Sequence, residues 1–399
     1  MISVGIDISK GKSTACAMKP YGEIVASPFE FQHTESDMKS LADMFMRMDD
    51  DVKIVMEATS IYHLPVATYL KEQGLFVSVV NPYEMKQYRT RGLRKVKTDR
   101  ADSIMISRYG MDHWHFLKEF QISRDVYAEL KILSSQYRHH MQLRISALLG
   151  LTHLLDYTMP GIKHEFNSWN EDNGKDKLGD FVDKYWHYDT ITKMSESKFS
   201  ENYCKWAKQK GYHQNQSKAA KIYSMAKEGI PTLPANQTTH LLVHEAVEVL
   251  RRVNKTLNII LARMKELAKS LPEYSVVRAM GGVGEKLAPR LIADIGDVRR
   301  FHNSKALIAF AGIDAPPYQS GQFSATERHI SKRGSSAIRK TGYEVMRSLK
   351  SHKEPDDNAV YLFILKKEAE GKPKKVAKMA GLNKFLRIYY ARVQEVYRE

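Results

Sequence analysis

Residues 2–9 read ISVGIDIS and residues 52–58 read VKIVMEA. Each is an apolar run of strand length that carries one carboxylate, Asp7 or Glu57, among hydrophobic neighbours. Outward from the first run, KSTACAMK (12–19) and EIVASPFEFQ (23–32) alternate or run apolar at similar length, with turns at Gly11-Lys12 and Tyr21-Gly22. Thr34 followed by Asp37 reads as a helix N-cap, and Met38, Leu41, Ala42, Phe45 and Met46 keep helical spacing. Beyond VKIVMEA, Leu64 to Gln73 reads as a helix closed by Gly74, and FVSVVNP (76–82) as a buried strand ended by Pro82. Three strands in a meander, then helix, strand, helix and strand, predict a mixed α/β sheet.

A charge inside a buried strand is unfavourable unless something pairs with it. Asp7 sits mid-strand and Glu57 ends a strand, while Asp99 and Asp102 stand at i and i+3 on one face of a helix predicted from Asp99 through Met111. Acids on neighbouring strands, with two more on an adjacent helix, make a site for hard divalent cations. Oxygen donors without His or Cys suit Mg²⁺ or Mn²⁺ rather than zinc. Two such ions ~3.5–4 Å apart clamp the attacking and leaving oxygens of a phosphodiester. The plain alternative is that each acid is an unrelated cap or surface charge.

The chain has 399 residues, 43% of them hydrophobic, enough for two or three domains with real cores. Two cysteines, Cys16 and Cys204, cannot build a disulfide framework or a zinc cluster, which points to a reducing cytosol. The N-terminus begins a strand pattern, not a signal peptide, and the best apolar stretch, Ile145 to Leu155, has 11 uncharged residues, short of the ~18 a membrane span needs. Secreted, membrane-spanning and disulfide-stapled classes are therefore excluded. The net charge of +16 calls for a polyanion partner, most simply nucleic acid. That charge is uneven: residues 1–83 carry 7 bases and 11 acids, a balance of −4, whereas 84–100 carry 7 bases and 2 acids, and 301–399 have a balance of +9.

Residues 84–98 read as a basic loop in which Lys86, Arg89, Arg91, Arg94, Lys95 and Lys97, with Arg100 just beyond, interleave with Tyr83 and Tyr88, a pattern suited to tracking a nucleic-acid backbone with stacking. Apolar periodicity from Ser123 to Asp156 and from Asn236 to Ser270 predicts two long helices, a paired arm or dimerising coiled coil. Between them, 157–235 is aromatic-rich and charge-balanced, an inserted helical module. The expected domains are 1–115, 116–270 and a mainly α domain at 271–399. In the last, VVRAMGGVGEKLAPRLIADIGD (276–297) has the cadence of a helix-hairpin-helix whose Gly282 and Gly284 would present amides to a phosphate. Ser320, in Pro-Pro-Tyr-Gln-Ser-Gly, is a loop serine with no local base, so its hydroxyl is a weak nucleophile unless activated from elsewhere. A turn serine chosen for its backbone habits is the alternative. Arg328, Lys332, Arg333, Arg339 and Lys340 follow it, either as phosphate contacts or as an ordinary solvated basic face.

VGIDISKGKS, MEATSIYHLPVATYLKEQG, FVSVVNPYEMKQYRT and KVKTDRAD together resemble the DEDD transposases of the IS110 insertion-sequence family, which also includes the Piv-type DNA invertases. FAGIDAPPYQSGQFSATERHISKRGSSAIRK (310–340) resembles that family's second signature domain. The resemblance implies an RNase H-like (RuvC-like) first domain with Asp7, Glu57, Asp99 and Asp102 as a metal-binding tetrad. It places Ser320 at the family's proposed nucleophilic serine, within a C-terminal transposase domain. It further implies DNA transposition through a phosphoserine intermediate, target and donor DNA chosen by a bridge RNA, and a homodimer that pairs into a tetramer in the bacterial cytoplasm, at the nucleoid. The serine mechanism requires Ser320 to meet the tetrad, within one chain or across a dimer. The chain departs from the family in its long middle module and in serines where an asparagine is expected after Gly334.

Rival readings are a RuvC-like junction resolvase that uses water, and a non-catalytic nucleic-acid scaffold with incidental acids. A third is an actin-like kinase, since GIDISKGKSTACAM resembles a phosphate-hairpin strand pair. That fold needs a second glycine-rich hairpin and an adenosine loop, and neither is found.

Overall fold

A computed structural model describes residues 1–89, 98–121, 126–166, 175–316, 329–352 and 358–398, and the backbone alone at 319–320 and 323–324. The described chain forms two compact units, Met1–Ser123 and Arg124–Glu399.

The first unit runs β1 (Ile2–Ile8), β2 (Lys12–Met18), β3 (Ile24–Gln32), α1 (Glu35–Met46), β4 (Val52–Glu57), α2 (His63–Glu72), β5 (Phe76–Val80), α3 (Pro82–Arg89) and α4 (Asp99–Asp112). Its sheet has the order β3-β2-β1-β4-β5. β1, β2 and β3 pair antiparallel, and β4 and β5 continue the sheet parallel to β1. That is the RNase H-like arrangement the resemblance implies. The Thr34 and Thr98 hydroxyls cap α1 and α4 by accepting from the Asp37 and Ala101 amides.

Strand alternation then decides what each face does. Ile2, Val4, Ile6 and Ile8 point to one face and join α1 and α2 in a core with Ile54, Met56, Phe45 and Leu70. The other face of β1 offers Ser3, Gly5 and Asp7, and α4 lies on it at very short range. A Cβ on Gly5 would stand 2.2 Å from the Ser107 amide nitrogen, and one on Gly110 would stand 2.3 Å from Ser3 Oγ. Ser107 completes the contact by accepting from the Gly5 amide at 2.8 Å and donating to the Cys16 carbonyl at 2.6 Å.

One expectation is corrected here. The first part of the 84–98 segment is helical, not loop, as far as Arg89. Asn81 caps it by accepting from the Tyr83 amide, Pro82 suits a first-turn position, and Met85 is anchored in a core with Ile106 and Tyr109. Arg91, Arg94, Lys95 and Lys97, and farther on Arg328, lie outside the described residues.

The second unit runs α5 (Val126–Thr158), α6 (Lys177–Lys184), α7 (Tyr188–Thr192), α8 (Glu196–Gln209), α9 (Gln216–Glu228), α10 (Gln237–Lys269), α11 (Tyr274–Arg278), α12 (Gly284–Ile295) and α13 (Ser304–Ala311). It ends with β6 (Gln319–Ser320), β7 (Phe323–Ser324), α14 (Ser336–Ser351), α15 (Ala359–Ala369) and α16 (Lys374–Val396). α5 and α10 lie side by side and antiparallel. Thr239 is buried in the first turn of α10, and the buried positions that follow are Val243, Val247, Leu250, Asn254, Leu257, Leu261, Met264 and Ala268. From Val243 they step by four and three in turn, the 3.5-residue period of a single seam. The polar position within that run, Asn254, accepts from Arg144 Nε of α5 at 2.9 Å.

Two cores form along this pair. At one end Leu151, Leu155, Val243 and Leu250 pack with the aromatic interior of α6 to α9, built on Phe181, Tyr185, Phe199, Tyr203 and Trp206. At the other, Leu130, Tyr137, Leu257 and Met264 join the C-terminal helices. Asp294 of α12 accepts there from Ser134, Arg138 and Thr341, each at 2.7 Å. Among the described residues, no helix is long and apolar enough to cross a membrane.

Candidate active site

The close approach of α4 to β1 is what makes the site. With Gly110 over Ser3 and Ser107 over Gly5, the chain direction of α4 carries its first turn toward Asp7. Glu57 ends β4, the strand beside β1, on the same face as Val55. The sheet thus supplies Asp7 and Glu57, and the helix supplies Asp102, with Asp99 exposed at its first position.

The electrostatics report the crowding. Burial first, then the neighbouring Asp102 and Asp99, push the Asp7 carboxyl up to about 6, and Arg89 opposes them. Burial also raises the Glu57 carboxyl, again against the pull of Arg89. Arg89 is the last residue of α3, and its Nη2 stands 3.3 Å from Glu57 Oε2 and 3.8 Å from Asp102 Oδ1. The three side chains are 34%, 19% and 14% exposed, so this is a sheltered cluster open on one side.

The donor chemistry fits a hard divalent cation: carboxylates only, with an excess of negative charge. The arrangement is not yet a ligand set. Among the described residues, no group of three or more His, Cys, Asp or Glu side chains is arranged to hold a metal ion. Binding one requires the acid side chains to draw together.

The remaining candidates fall elsewhere. Lys86 and Arg100 are exposed on α3 and α4 of the same unit. In the second unit Ser320 lies in a two-strand ribbon, paired through the backbone with Phe323. On either side of the stretch that carries Ser320, the chain is stapled: the Ser331 amide donates to the Asp314 carbonyl at 2.8 Å, and the Lys332 amide to the Gly312 carbonyl at 3.0 Å. Arg339 adds to this staple, its Nη1 donating to the Ala311 and Gly334 carbonyls at 3.0 and 2.9 Å. Lys332, Arg333 and Lys340 are exposed around it. Gly282 and Gly284 both have left-handed backbone, but their surroundings differ. A Cβ on Gly282 would stand 2.7 Å from the Val345 carbonyl of α14, whereas Gly284 faces open space. Gly282 is therefore required by packing.

The place of Arg89 among the acids is a feature that charge counting along the chain misses. The serines and glycines at 3, 5, 103, 107 and 110 were the available signal for where α4 docks.

Residues 4–160, which hold all four acids, match the DEDD IS110 group described as "Transposase", and residues 274–362, which hold Ser320, match the "Transposase IS116/IS110/IS902 family". The chain belongs to the IS110 transposase family. As an IS110-family transposase/recombinase, it is an enzyme that acts on DNA. It is 20% identical to an uncharacterised 43.6 kDa protein of insertion element IS110 from Streptomyces coelicolor, over 85% of this chain and 82% of that protein. It is 23% identical to the pilin gene-inverting protein of Moraxella bovis, over 86% of this chain and 80% of that one. Two solved structures of Thermus thermophilus RuvC, one in complex with a Holliday junction substrate, match 30% of this IS110-family chain and 99% and 100% of their own, at 11% and 13% identity and a TM-score of 0.24.

Proposed function

We propose that this transposase cuts and rejoins DNA strands with Asp7, Glu57, Asp99 and Asp102 as ligands for Mg²⁺ or Mn²⁺ and Ser320 as the nucleophile. The observation that carries the reading is the gathering of acids from β1, β4 and α4 on one face, with the Asp7 carboxyl raised to about 6 by burial and its acidic neighbours. Carboxyls perturbed by burial and like charge in this way cluster at functional sites. A divalent ion held there supplies Lewis-acid polarisation of the phosphate and favours ionisation of an attacking hydroxyl.

In this reading the Ser320 oxygen bonds to a DNA phosphorus as the bond to the 3′ oxygen breaks. The serine proton is lost, and the departing 3′ oxygen gains one. The phosphodiester energy is kept in the phosphoserine link. A 3′ hydroxyl of a second DNA then attacks the same phosphorus, and the serine oxygen leaves and is reprotonated. Lys86, Arg100, Lys332, Arg333 and Lys340 would hold backbone phosphates, weakening binding without regard to sequence when lost. Choice of donor and target DNA by a bridge RNA, and assembly of dimers into a tetramer, belong to the same proposal.

The test is a strand-transfer assay on the element's ends with Ser320→Ala and Asp7→Asn, together with capture of a covalent serine–DNA adduct and sequencing of any RNA that co-purifies. Loss of transfer in both variants and an adduct that maps to Ser320 are expected. Full transfer by Ser320→Ala would refute the serine mechanism and leave water as the nucleophile.

A further inference from the structure

We infer that Arg89 is the resident counter-cation of the acid cluster, and that it and a divalent metal exclude one another. The inference rests on the metal-binding reading of the four acids and adds to it a positioning residue.

Its basis is geometric. A single nitrogen, Arg89 Nη2, reaches both a carboxylate oxygen of β4 and one of α4, at 3.3 and 3.8 Å. A divalent ion held by those oxygens would draw them closer than the 3.3 and 3.8 Å at which they meet this nitrogen. Arginine and metal therefore compete for the same two carboxylates, and the two cations would repel one another there. The arginine is also poorly fitted to its place. Charge-assisted hydrogen bonds run at about 2.7–2.9 Å, and a forked guanidinium on a tailored partner uses two parallel donors. Neither contact of Arg89 is that short, and both acids share one nitrogen. Among the described residues, the buried Nε of Arg89 has no hydrogen-bond acceptor. A guanidinium held by charge and not by its full set of donors is an exchangeable occupant. It also keeps Glu57 and Asp102 from closing on a common point, which accounts for the acids being gathered but not arranged as ligands.

The exchange has a cost for metal binding. If the arginine-paired arrangement dominates, the apparent affinity for the ion falls by the fraction of molecules in which the acids are free. Removing the guanidinium abolishes that penalty. The phosphate of a bound DNA strand, which a guanidinium fork fits at least as well as a carboxylate, offers Arg89 another partner once the ion displaces it.

Manganese titrated into the full-length chain without nucleic acid, with free Mn²⁺ read by electron paramagnetic resonance, tests this directly and does not depend on activity. Arg89→Gln should bind Mn²⁺ roughly tenfold more tightly than wild type. Arg89→Met, which keeps the aliphatic stem, should do the same and serves if the amide variant folds poorly. Arg100→Gln removes an equal charge from an exposed site on α4 and should change the affinity less than about threefold, because solvent screens it. Asp102→Asn should bind far more weakly. Unchanged or weakened binding in both Arg89 variants, with Asp102→Asn still defective, would overturn the exclusion while leaving the metal site standing. An Arg100→Gln gain equal to that of Arg89→Gln would also overturn it, since bulk charge alone would then explain the effect. Wild-type binding by Asp102→Asn would place the ion elsewhere, and both the metal reading and this inference would fall.

Discussion

Replacing Asp7 by Asn is expected to stabilise the first unit while removing a ligand of the proposed metal site, and the size of the gain follows from where the carboxyl sits. Burial and the neighbouring Asp102 and Asp99 raise it from 3.8 to about 6. Between those two values the folded unit keeps a proton that the unfolded chain has released. Stability therefore falls as pH rises through that window, and the loss is complete above about pH 6. At ~1.4 kcal/mol per pH unit, that rise bounds the penalty near 3 kcal/mol. Asp7 is partly exposed, and solvent screening brings the expected figure to about 1–2 kcal/mol. The amide keeps the shape and drops the charge. In chelator at pH 7.5, Asp7→Asn should thus exceed wild type by about 1–2 kcal/mol, and at pH 4, where wild-type Asp7 is protonated in the fold, the difference should vanish. Hydrogen exchange of the β1 and β4 amides, corrected for intrinsic rates, reads this unit alone. Added Mg²⁺ should reverse the order: at a hundredfold excess over its dissociation constant, it contributes about 2.7 kcal/mol to wild type and nothing comparable to the variant. Equal protection of the two proteins at pH 7.5 in chelator would refute the reasoning, as would a gain that is the same at pH 4.

Gly5→Ala should separate α4 from the sheet, because the added Cβ would meet backbone atoms of Ser107 and Ser103 at 2.2 and 2.3 Å. A loss of about 3 kcal/mol or more in thermal unfolding is expected, together with loss of Mn²⁺ binding, since Asp99 and Asp102 ride on that helix. Asp294→Ala removes the shared acceptor of Ser134, Arg138 and Thr341 and should loosen the second unit by about 2–4 kcal/mol, seen as faster exchange in α12 and α14. Asn254→Leu takes away the acceptor of Arg144 Nε inside the α5–α10 seam and should destabilise by about 1–3 kcal/mol in urea. Adding Arg144→Met should recover most of that, a coupling that a double-mutant cycle measures.

Much of the first unit was legible because its signals are local. Period-two alternation in ISVGIDIS, the Thr34 cap and the punctuation at Gly74 and Pro82 each act within a few residues, and each appears where expected. The same holds for the two long helices, whose apolar spacing announces a buried seam. What was not legible depends on partners distant in the chain. Seven bases in 84–100 hid a helix whose anchor, Met85, is decided by Ile106 and Tyr109. Arg89 was counted with that basic run as a nucleic-acid contact, yet one of its acids lies 32 residues away on β4. The packing of α14 against Gly282 cannot be read from a Gly-Val-Gly turn. Arg339 reads in sequence as a phosphate contact or part of a solvated basic face, and only the fold turns it onto the Ala311 and Gly334 carbonyls.

Alternation along β1 links the packing of this domain to its chemistry. Ser3 and Gly5 carry too little side chain to keep α4 away, so the helix settles against the strand, and the next residue on that face is Asp7. Close packing thus forces the first turn of α4 over two strand carboxylates, which no helix at ordinary distance would do. The resulting repulsion has to be answered by a cation. Within the chain that cation is Arg89, and in the proposed reaction it is a metal ion. A DNA phosphate approaching the uncompensated acids would be repelled by them. The acidic balance of residues 1–83, −4 against +5 in the following 17 positions, therefore has a consequence for order. In the proposed reaction, basic segments can hold the DNA backbone at any stage, but a phosphate would reach the acids only after a cation richer in charge than one guanidinium has replaced Arg89 there.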